Sequence, residues 1–323
     1  MILGIESTAH TFGIAVCNNG KILSNVINAY KTEKGGIIPM EAAKHHANVS
    51  ESVLQEALDK ASIKLVDIKA IAYSHAPGLA PCLLQGLSFA KKLSSKLKIP
   101  LVPVNHCIAH LEIGELTGAK DPVLLYASGA NTQIISYSSG KYRIFGETLD
   151  IGTGNFIDTF ARHCGLGFPA GAKIEQLAKN GKYIELPYSI KGMDVSFSGM
   201  LTNLQQKYDK GEKIEDLAYS LQETAFAMLI EASERALAHL QKNELLLGGG
   251  VACNARLQEM AKIMCSERNA KVFCPEKQFL IDNAGMIAYL GEKMFKAGIK
   301  ISPEKANINP RERTDQVEVK WKK

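Results

Sequence analysis

No apolar run in these 323 residues reaches the roughly 18 that a membrane-spanning helix needs, so a transmembrane segment is not expected. The amino end lacks the charged stretch, apolar run and cleavage site of an export signal. Met1-Ile2-Leu3-Gly4-Ile5-Glu6 reads instead as a strand beginning at the first residue. The seven cysteines (Cys17, Cys82, Cys107, Cys164, Cys253, Cys265 and Cys274) are scattered, odd in number and without a C-x-x-C pair. That argues against a disulfide scaffold or a cysteine-built zinc site, and for reduced thiols in a cytoplasmic protein. A strong charge imbalance is missing too. The formal net charge of +5 permits a polyanionic partner without requiring one, and no basic arm interleaved with aromatics stands out. Neither G-x-G-x-x-G nor a GK[ST] ending occurs, which excludes the dinucleotide fingerprint and the P-loop. Asp194-Val195-Ser196-Phe197-Ser198-Gly199 reads as a Ser-rich loop, with no nucleophile elbow and no Ser-His-Asp arrangement.

What is present is an ordinary globular composition, 46% hydrophobic and 22% charged, at a length that fits about two domains. No long linker divides the chain, and a boundary near Asp121-Pro122 separates residues 1–121 from 122–323. Only the tail after Pro303 looks low in complexity, and it is expected to pack back on the first lobe. In the first half, helices are predicted over Glu41 to Ala61 and Leu83 to Leu97, with strands over Ile68 to Ser74 and Ile99 to Val104. In the second, Ile157 to His163 and Ile174 to Asn180 read as short helices. Ile214 to Leu240 is a long one carrying Leu217, Leu221, Met228 and Leu229, and Glu244 to Leu247 is a buried strand. His46 shares a helix face with Val49 and Val53, the position of a partly buried packing histidine.

Two segments repeat each other. Leu3 to Thr11, then Phe12 to Cys17, then Asn18-Asn19-Gly20-Lys21 parallels Leu124 to Thr132, then Gln133 to Tyr137, then Ser138-Ser139-Gly140-Lys141. Ser7 corresponds to Ser128 and Thr11 to Thr132 at one constant offset. Each copy is a strand, a small-residue turn and a second strand closing on a Gly-Lys hairpin turn. Such turns direct N–H groups and hydroxyls at one point, as phosphate oxygens require.

Chemistry concentrates in a few places. Val104-Asn105-His106-Cys107-Ile108-Ala109-His110 opens a helix with two histidines four apart, so both imidazoles can reach one metal ion. Asn105 suits the N-cap and Gly114 a stop. The zinc-protease signature has Glu after its first His; here that residue is Cys107, which argues against that mechanism. Leu245 to Asn254 is a strand running through Gly248-Gly249-Gly250 into a helix start, a turn that a phosphate or flat ring can approach closely. Asp282 opens another helix, with capping as its alternative role. Asp158 and Glu175 each follow a glycine turn on a short helix, where either could bind sugar hydroxyls.

Taken together, GIESTAHTFGIAV, GGIIPMEAAKHHA, AYSHAPGL, VNHCIAHLEIG, YASGANTQI, DIGTGNFIDTFAR, FPAGAKIEQLA, SFSGMLTNL, LLLGGGVACNARL, IDNAGMIAY and NPRERTDQVEV resemble the tRNA N6-adenosine threonylcarbamoyltransferases. The likeness is to the archaeal and eukaryotic branch, the catalytic subunit of the KEOPS complex, and it spans residues 4 to about 319. It implies an α/β fold of two duplicated actin/Hsp70/sugar-kinase-like (RNase H-like) lobes with a nucleotide cleft between them. By motif match it implies metal ligands at His106, His110, Tyr126 and Asp282. Adenylate contacts are implied at Tyr126, Ala127, Ser128, Gly129, Ala130, Asp158, Gly171, Glu175 and Asn254. The implied reaction moves a threonylcarbamoyl group from threonylcarbamoyl-adenylate to N6 of the adenosine beside the anticodon. It would use one divalent ion, Fe(2+) ahead of Zn(2+), with ATP as a further nucleotide candidate. Implied partners are tRNA, a small protein kinase/ATPase subunit and two further small subunits. No general base stands out. Two positions depart from the family pattern: Ala130 replaces a glycine, and Ala284-Gly285 reverses the usual order. An ATP-dependent small-molecule kinase of the same superfamily and a non-catalytic tRNA-binding scaffold are the alternative readings.

Overall fold

The computed structural model describes residues 1–32 and 36–322; Gly35, the first residue of GGIIPMEAAKHHA, lies outside them. In chain order the first sheet and its helices are β1 (Ile2–Glu6), β2 (Thr11–Asn18), β3 (Lys21–Ala29), α1 (Pro39–Ala61), β4 (Ala70–Ala76), α2 (Ala80–Leu97), β5 (Leu101–Asn105) and α3 (His106–Glu112). There follow β6 (Val123–Ala127), β7 (Thr132–Ser138), β8 (Lys141–Glu147), α4 (Thr153–His163), α5 (Gly171–Ala178), the two-residue strands β9 (Ile190–Lys191) and β10 (Asp194–Val195), α6 (Ser198–Asp209) and α7 (Ile214–Leu240). The chain ends through β11 (Glu244–Gly248), α8 (Ala255–Glu267), β12 (Lys271–Phe273), α9 (Lys277–Leu280) and α10 (Ala284–Lys296).

The repeat seen in sequence is a repeat in topology. One sheet has the order β3-β2-β1-β4-β5 and the other β8-β7-β6-β11-β12. In both, the first three strands are antiparallel neighbours and the last two join in parallel. The two hairpins turn alike, with positive φ at Asn19 and Gly20 and again at Ser139 and Gly140, the conformation that matches strand twist.

Strand β1 is buried along its whole length because helices cover both faces of its sheet. Leu3 and Ile5 face α1 and α2, packing among Leu54, Leu87 and Ala90. Ile2 lies on the opposite face with Ile287 and Ala288 of α10. Gly4 is required there, since a Cβ would sit 2.5 Å from the Ala288 nitrogen. The cluster on this inner face continues through Ile108 of α3 to Leu124, Tyr126 and Leu246 of the second sheet, so the two sheets share an apolar centre. The tail also returns to the first sheet: Ile301 bridges Leu101, and the Asn309 N–H donates to the His75 carbonyl. Among the described residues no helix is long and apolar enough to cross a membrane.

Several local expectations are corrected. Asp194 to Gly199 is not a loop. Asp194 and Val195 pair with Lys191 and Ile190, and α6 begins at Ser198, where the Asp150 carboxylate accepts the Phe197 and Ser198 N–H groups. Gly114 does not stop α3, which winds on as a 3-10 turn to Thr117 and ends at Gly118 with φ 91°. Gly114 is instead a close-packing position, where a Cβ would lie 2.2 Å from Leu246 Cδ2. Helix α4 starts four residues before Ile157, because its first turn is small and polar and docks on the Ser128 turn.

His46 is fully rather than partly buried. Its Nε2 lies 3.0 Å from the Ala9 carbonyl, and its ring sits 5.6 Å from that of Phe12. Burial pushes its pKa down to about 4 from the ordinary 6.5. The unfolded chain therefore takes up a proton at this site before the folded protein does, and stability falls as pH drops from 6.5 toward 4. The expected loss is ~3 kcal/mol by pH 4.5. His46→Gln should flatten that part of the profile, as read by urea unfolding at pH 7 and pH 4.5; an equally steep variant would show that another group carries the acid sensitivity.

Candidate metal centre

Helix α3 is placed before its histidines are. Asn105 caps it, its Oδ1 accepting the N–H groups of Cys107 at 3.1 Å and Ile108 at 3.3 Å, while its Nδ2 donates to Glu312 of the tail. At the other end the buried Glu112 accepts from Tyr142 and Lys293, with Lys322 at 3.2 Å, fixing α3 to β8, α10 and the tail at once. His106 and His110 thus project one turn apart from a helix held at both ends, their ring centroids 4.8 Å apart.

Asp282 arrives from far along the chain. Its neighbour Asn283, not Asp282, caps α10 by accepting the Met286 N–H, which leaves the Asp282 carboxylate free to face the imidazoles. Its Oδ1 lies 3.3 Å from His106 Nε2 and 3.8 Å from His110 Nε2. One donor atom from each of His106, His110 and Asp282 falls within 4.8 Å of the others. The Tyr126 hydroxyl completes the group, 3.1 Å from His106 Nε2. Burial favours neutral forms throughout this cluster. The His106 pKa is nonetheless drawn well above the ordinary value by Glu6, Tyr126 and Asp282, and the imidazoles hold Asp282 well below its own. Burial lowers His110 and raises Tyr126.

His110 tests whether the group fits a metal. It is buried, and among the described residues neither of its ring nitrogens has a hydrogen-bond partner. Buried polar atoms left in that state are rare and costly, and a cation shared with Asp282 would satisfy one of them. Two imidazoles, a carboxylate and a phenol oxygen are also a donor set that divalent transition ions accept. Cys107 stands outside it. Burial lifts its thiol pKa to about 11, and its sulfur faces the Asn131 amide.

The sequence reading missed Glu6 and Thr8. Glu6 is fully buried, with Oε2 3.0 Å from His106 Nδ1, and its Oε1 accepts the Thr8 N–H at 2.7 Å and the Thr8 hydroxyl at 2.5 Å. A carboxylate ending an otherwise apolar strand was the available signal. Ser7 corrects the reading of the first turn: its hydroxyl is buried against Gly86, where a Cβ would be 2.0 Å away, and does not point into the turn.

The remaining expected residues lie in the turn after β6 and on α4, α5 and α8. After β6 the chain turns through Ser128 to Ala130, with the Ser128 N–H bonded to the Asn131 carbonyl. The Ser128 and Gly129 carbonyls accept from Gly154 and Asn155 at the start of α4. Ala127 is buried, whereas Gly129 and Ala130 are exposed, so the methyl of Ala130 meets solvent. Gly249 lies against this turn: a Cβ there would be 2.3 Å from the Ala127 oxygen. Gly248 faces the other way, its Cβ position 3.9 Å from both His110 and Tyr126. The triple-glycine turn therefore lies between the histidine cluster and the Ser128 turn. Asp158 accepts the Ala170 N–H at 2.8 Å, Glu175 accepts the Ala255 N–H at 2.8 Å, and Asn254 caps α8. These bonds tie α4, α5 and α8 together, and among the described residues none reaches His106, His110 or Asp282. Gly171, at the start of α5, has open space where a Cβ would be.

The tRNA N6-adenosine threonylcarbamoyltransferase family matches residues 21–289 of this chain. A protein of that name from Thermococcus sibiricus is 55% identical over 321 residues, covering 99% of both chains, and one from Thermococcus kodakarensis is 53% identical with the same coverage. A probable bifunctional tRNA threonylcarbamoyladenosine biosynthesis protein from Methanosarcina mazei is 53% identical over 99% of this chain, which spans 59% of that longer protein. Among solved structures, HypF of T. kodakarensis aligns with a TM-score of 0.62 at 15% identity, over 92% of this chain and 48% of HypF. Component A of the Acidaminococcus fermentans (R)-2-hydroxyglutaryl-CoA dehydratase aligns at 0.57 and 12% identity, over 90% and 98%. At such identities these structures speak to the fold alone, which is the two-lobed actin/Hsp70/sugar-kinase fold.

Proposed function

The chain belongs to the tRNA N6-adenosine threonylcarbamoyltransferase family, on its archaeal and eukaryotic branch, and from that premise we propose how its residues serve the transfer. It is a transferase that places a threonylcarbamoyl group on N6 of adenosine in tRNA. The donor is threonylcarbamoyl-adenylate and the acceptor the adenosine beside the anticodon. This mixed anhydride already contains AMP as a good leaving group, so the protein's task is to position the amine and the acyl carbon.

His106, His110, Asp282 and Tyr126 hold one divalent ion, and the observation that carries this is the buried His110, which has no hydrogen-bond partner among the described residues. These nitrogen and oxygen donors accept either Fe(2+) or Zn(2+), and the family resemblance puts Fe(2+) first. When bound, the ion supplies Lewis-acid stabilisation of negative charge developing on the donor. The Ser128–Ala130 turn and Gly248–Gly250 offer backbone N–H groups and close approach to the adenylate phosphate. Asp158, Gly171, Glu175 and Asn254, joined through α4, α5 and α8, form the wall for the nucleoside. The nucleotide cleft divides residues 1–121 from 122–323, and the tail spans both lobes, bonded to His75 through Asn309 and packed on Tyr142 through Trp321. A small protein kinase/ATPase subunit and two further small subunits assist; the bifunctional relatives, whose matching segment is joined to additional sequence, support such a partnership.

The test supplies threonylcarbamoyl-adenylate, the purified chain, partner subunits and unmodified tRNA, followed by mass spectrometry of the nucleosides. A new N6-threonylcarbamoyladenosine peak is expected. Its absence under every partner combination would refute the donor and acceptor assigned here.

A further inference from the structure

We infer that Glu6 is a positioning residue for the metal centre: its carboxylate fixes His106 as the Nδ1–H tautomer, reserving Nε2 for the ion, and ties that ligand to the turn after β1. The inference rests on the metal reading above and goes beyond its ligand set.

The ambiguity that Glu6 removes lies in His106 itself. A neutral imidazole carries one proton, on either nitrogen, and only the other can bind a metal. Acceptors face Nε2 as well: Asp282 Oδ1 is 3.3 Å away and the Tyr126 hydroxyl 3.1 Å. Without a competing acceptor at Nδ1, the proton could settle on Nε2, bond to Asp282 and block the ligand atom. Glu6 supplies that competitor at 3.0 Å, its carboxyl oxygen buried beside the ring and aimed at Nδ1. Its other oxygen is saturated by two donors from Thr8, so the carboxylate cannot swing away without leaving them unpaired. The Thr8 hydroxyl lies 3.4 Å from the same Nδ1, closing a three-membered network around the imidazole. Strand β1 is held between β2 and β4 at the centre of its sheet, which makes it a rigid anchor for a ligand on another helix. Carboxylates behind metal-bound histidines orient the ring and raise its basicity in this way.

The experiment strips metal from the full-length chain and titrates it with Co(2+), reading the dissociation constant and the visible d–d bands. Wild type should take up one ion. Glu6→Gln, which keeps the shape and removes the charge, should weaken binding roughly 10- to 100-fold and shift the bands. Glu6→Asp should recover part of the affinity. If Glu6→Gln binds Co(2+) within about twofold of wild type with unchanged bands, Glu6 is only a structural residue and the inference falls. Should Glu6→Gln fail to fold, Glu6→Asp and Thr8→Val decide it: weaker binding in both supports the network, and wild-type affinity in both overturns it. Failure of wild type itself to bind Co(2+) would instead remove the metal assignment on which this rests.

Discussion

Replacing His106 and His110 together by alanine is expected to reduce threonylcarbamoyl transfer by about 10³-fold and to abolish metal uptake. The size follows from the role assigned to the ion. Lewis-acid stabilisation in a buried site contributes several kcal/mol, and ~4 kcal/mol corresponds to about three decades in rate. Stability of the metal-free protein should fall less than two buried deletions suggest, because among the described residues the His110 nitrogens have no hydrogen-bond partner. Transfer assays and metal analysis check the first two statements, and thermal unfolding checks the third. Binding of tRNA gives the discriminating arm. A loss of transfer with tRNA affinity retained places the histidines in the chemistry, as argued. Full transfer by the double variant would eliminate the ligand assignment and favour a role for this pair in packing alone.

How much of this could be read from the chain depends on how local each signal is. The duplication was legible because each copy keeps strand, turn and hairpin in the same order, and both hairpins need positive φ at adjacent residues. Asn105 and its two N–H partners lie within three residues, so the start of α3 could be placed to the residue. Glu6 could not be recognised that way, since its partner His106 is 100 residues on. Asp282 posed the opposite problem: its position before a helix suggested capping, and only the structure shows Asn283 in that role. Positional equivalence also misled at Ser7, whose counterpart Ser128 bonds within its own turn while Ser7 is pressed against Gly86. The Asp194 to Gly199 segment failed for a simpler reason, because two-residue strands are too short to show a period.

Adjacent glycines in the 248–250 turn should differ in stability under the same substitution, although both variants should bind the donor less well. Gly249 has φ 87° and ψ 160°, a region almost closed to residues with a side chain, and a Cβ would lie 2.3 Å from the Ala127 oxygen and 3.1 Å from the Ser128 nitrogen. Gly249→Ala must therefore displace either its own backbone or the Ser128 turn. The combined strain and overpacking should cost ~3 kcal/mol, roughly 4 °C in Tm, and distort the proposed phosphate seat so that KM for the adenylate rises more than about tenfold. Gly250 is exposed, and no atom lies within 4 Å of its Cβ position. Gly250→Ala should leave Tm within about 1 °C. Its added methyl would project into the space assigned to the donor, so KM should still rise, with kcat less affected. Thermal unfolding and steady-state kinetics on the two variants separate the fold's need for glycine from the ligand's. A stable, fully active Gly249→Ala protein would contradict the packing argument. An unchanged KM in Gly250→Ala would mean that the donor does not lie over this turn, and the adenylate would then have to be seated by the Ser128 turn and the α4–α5–α8 wall alone.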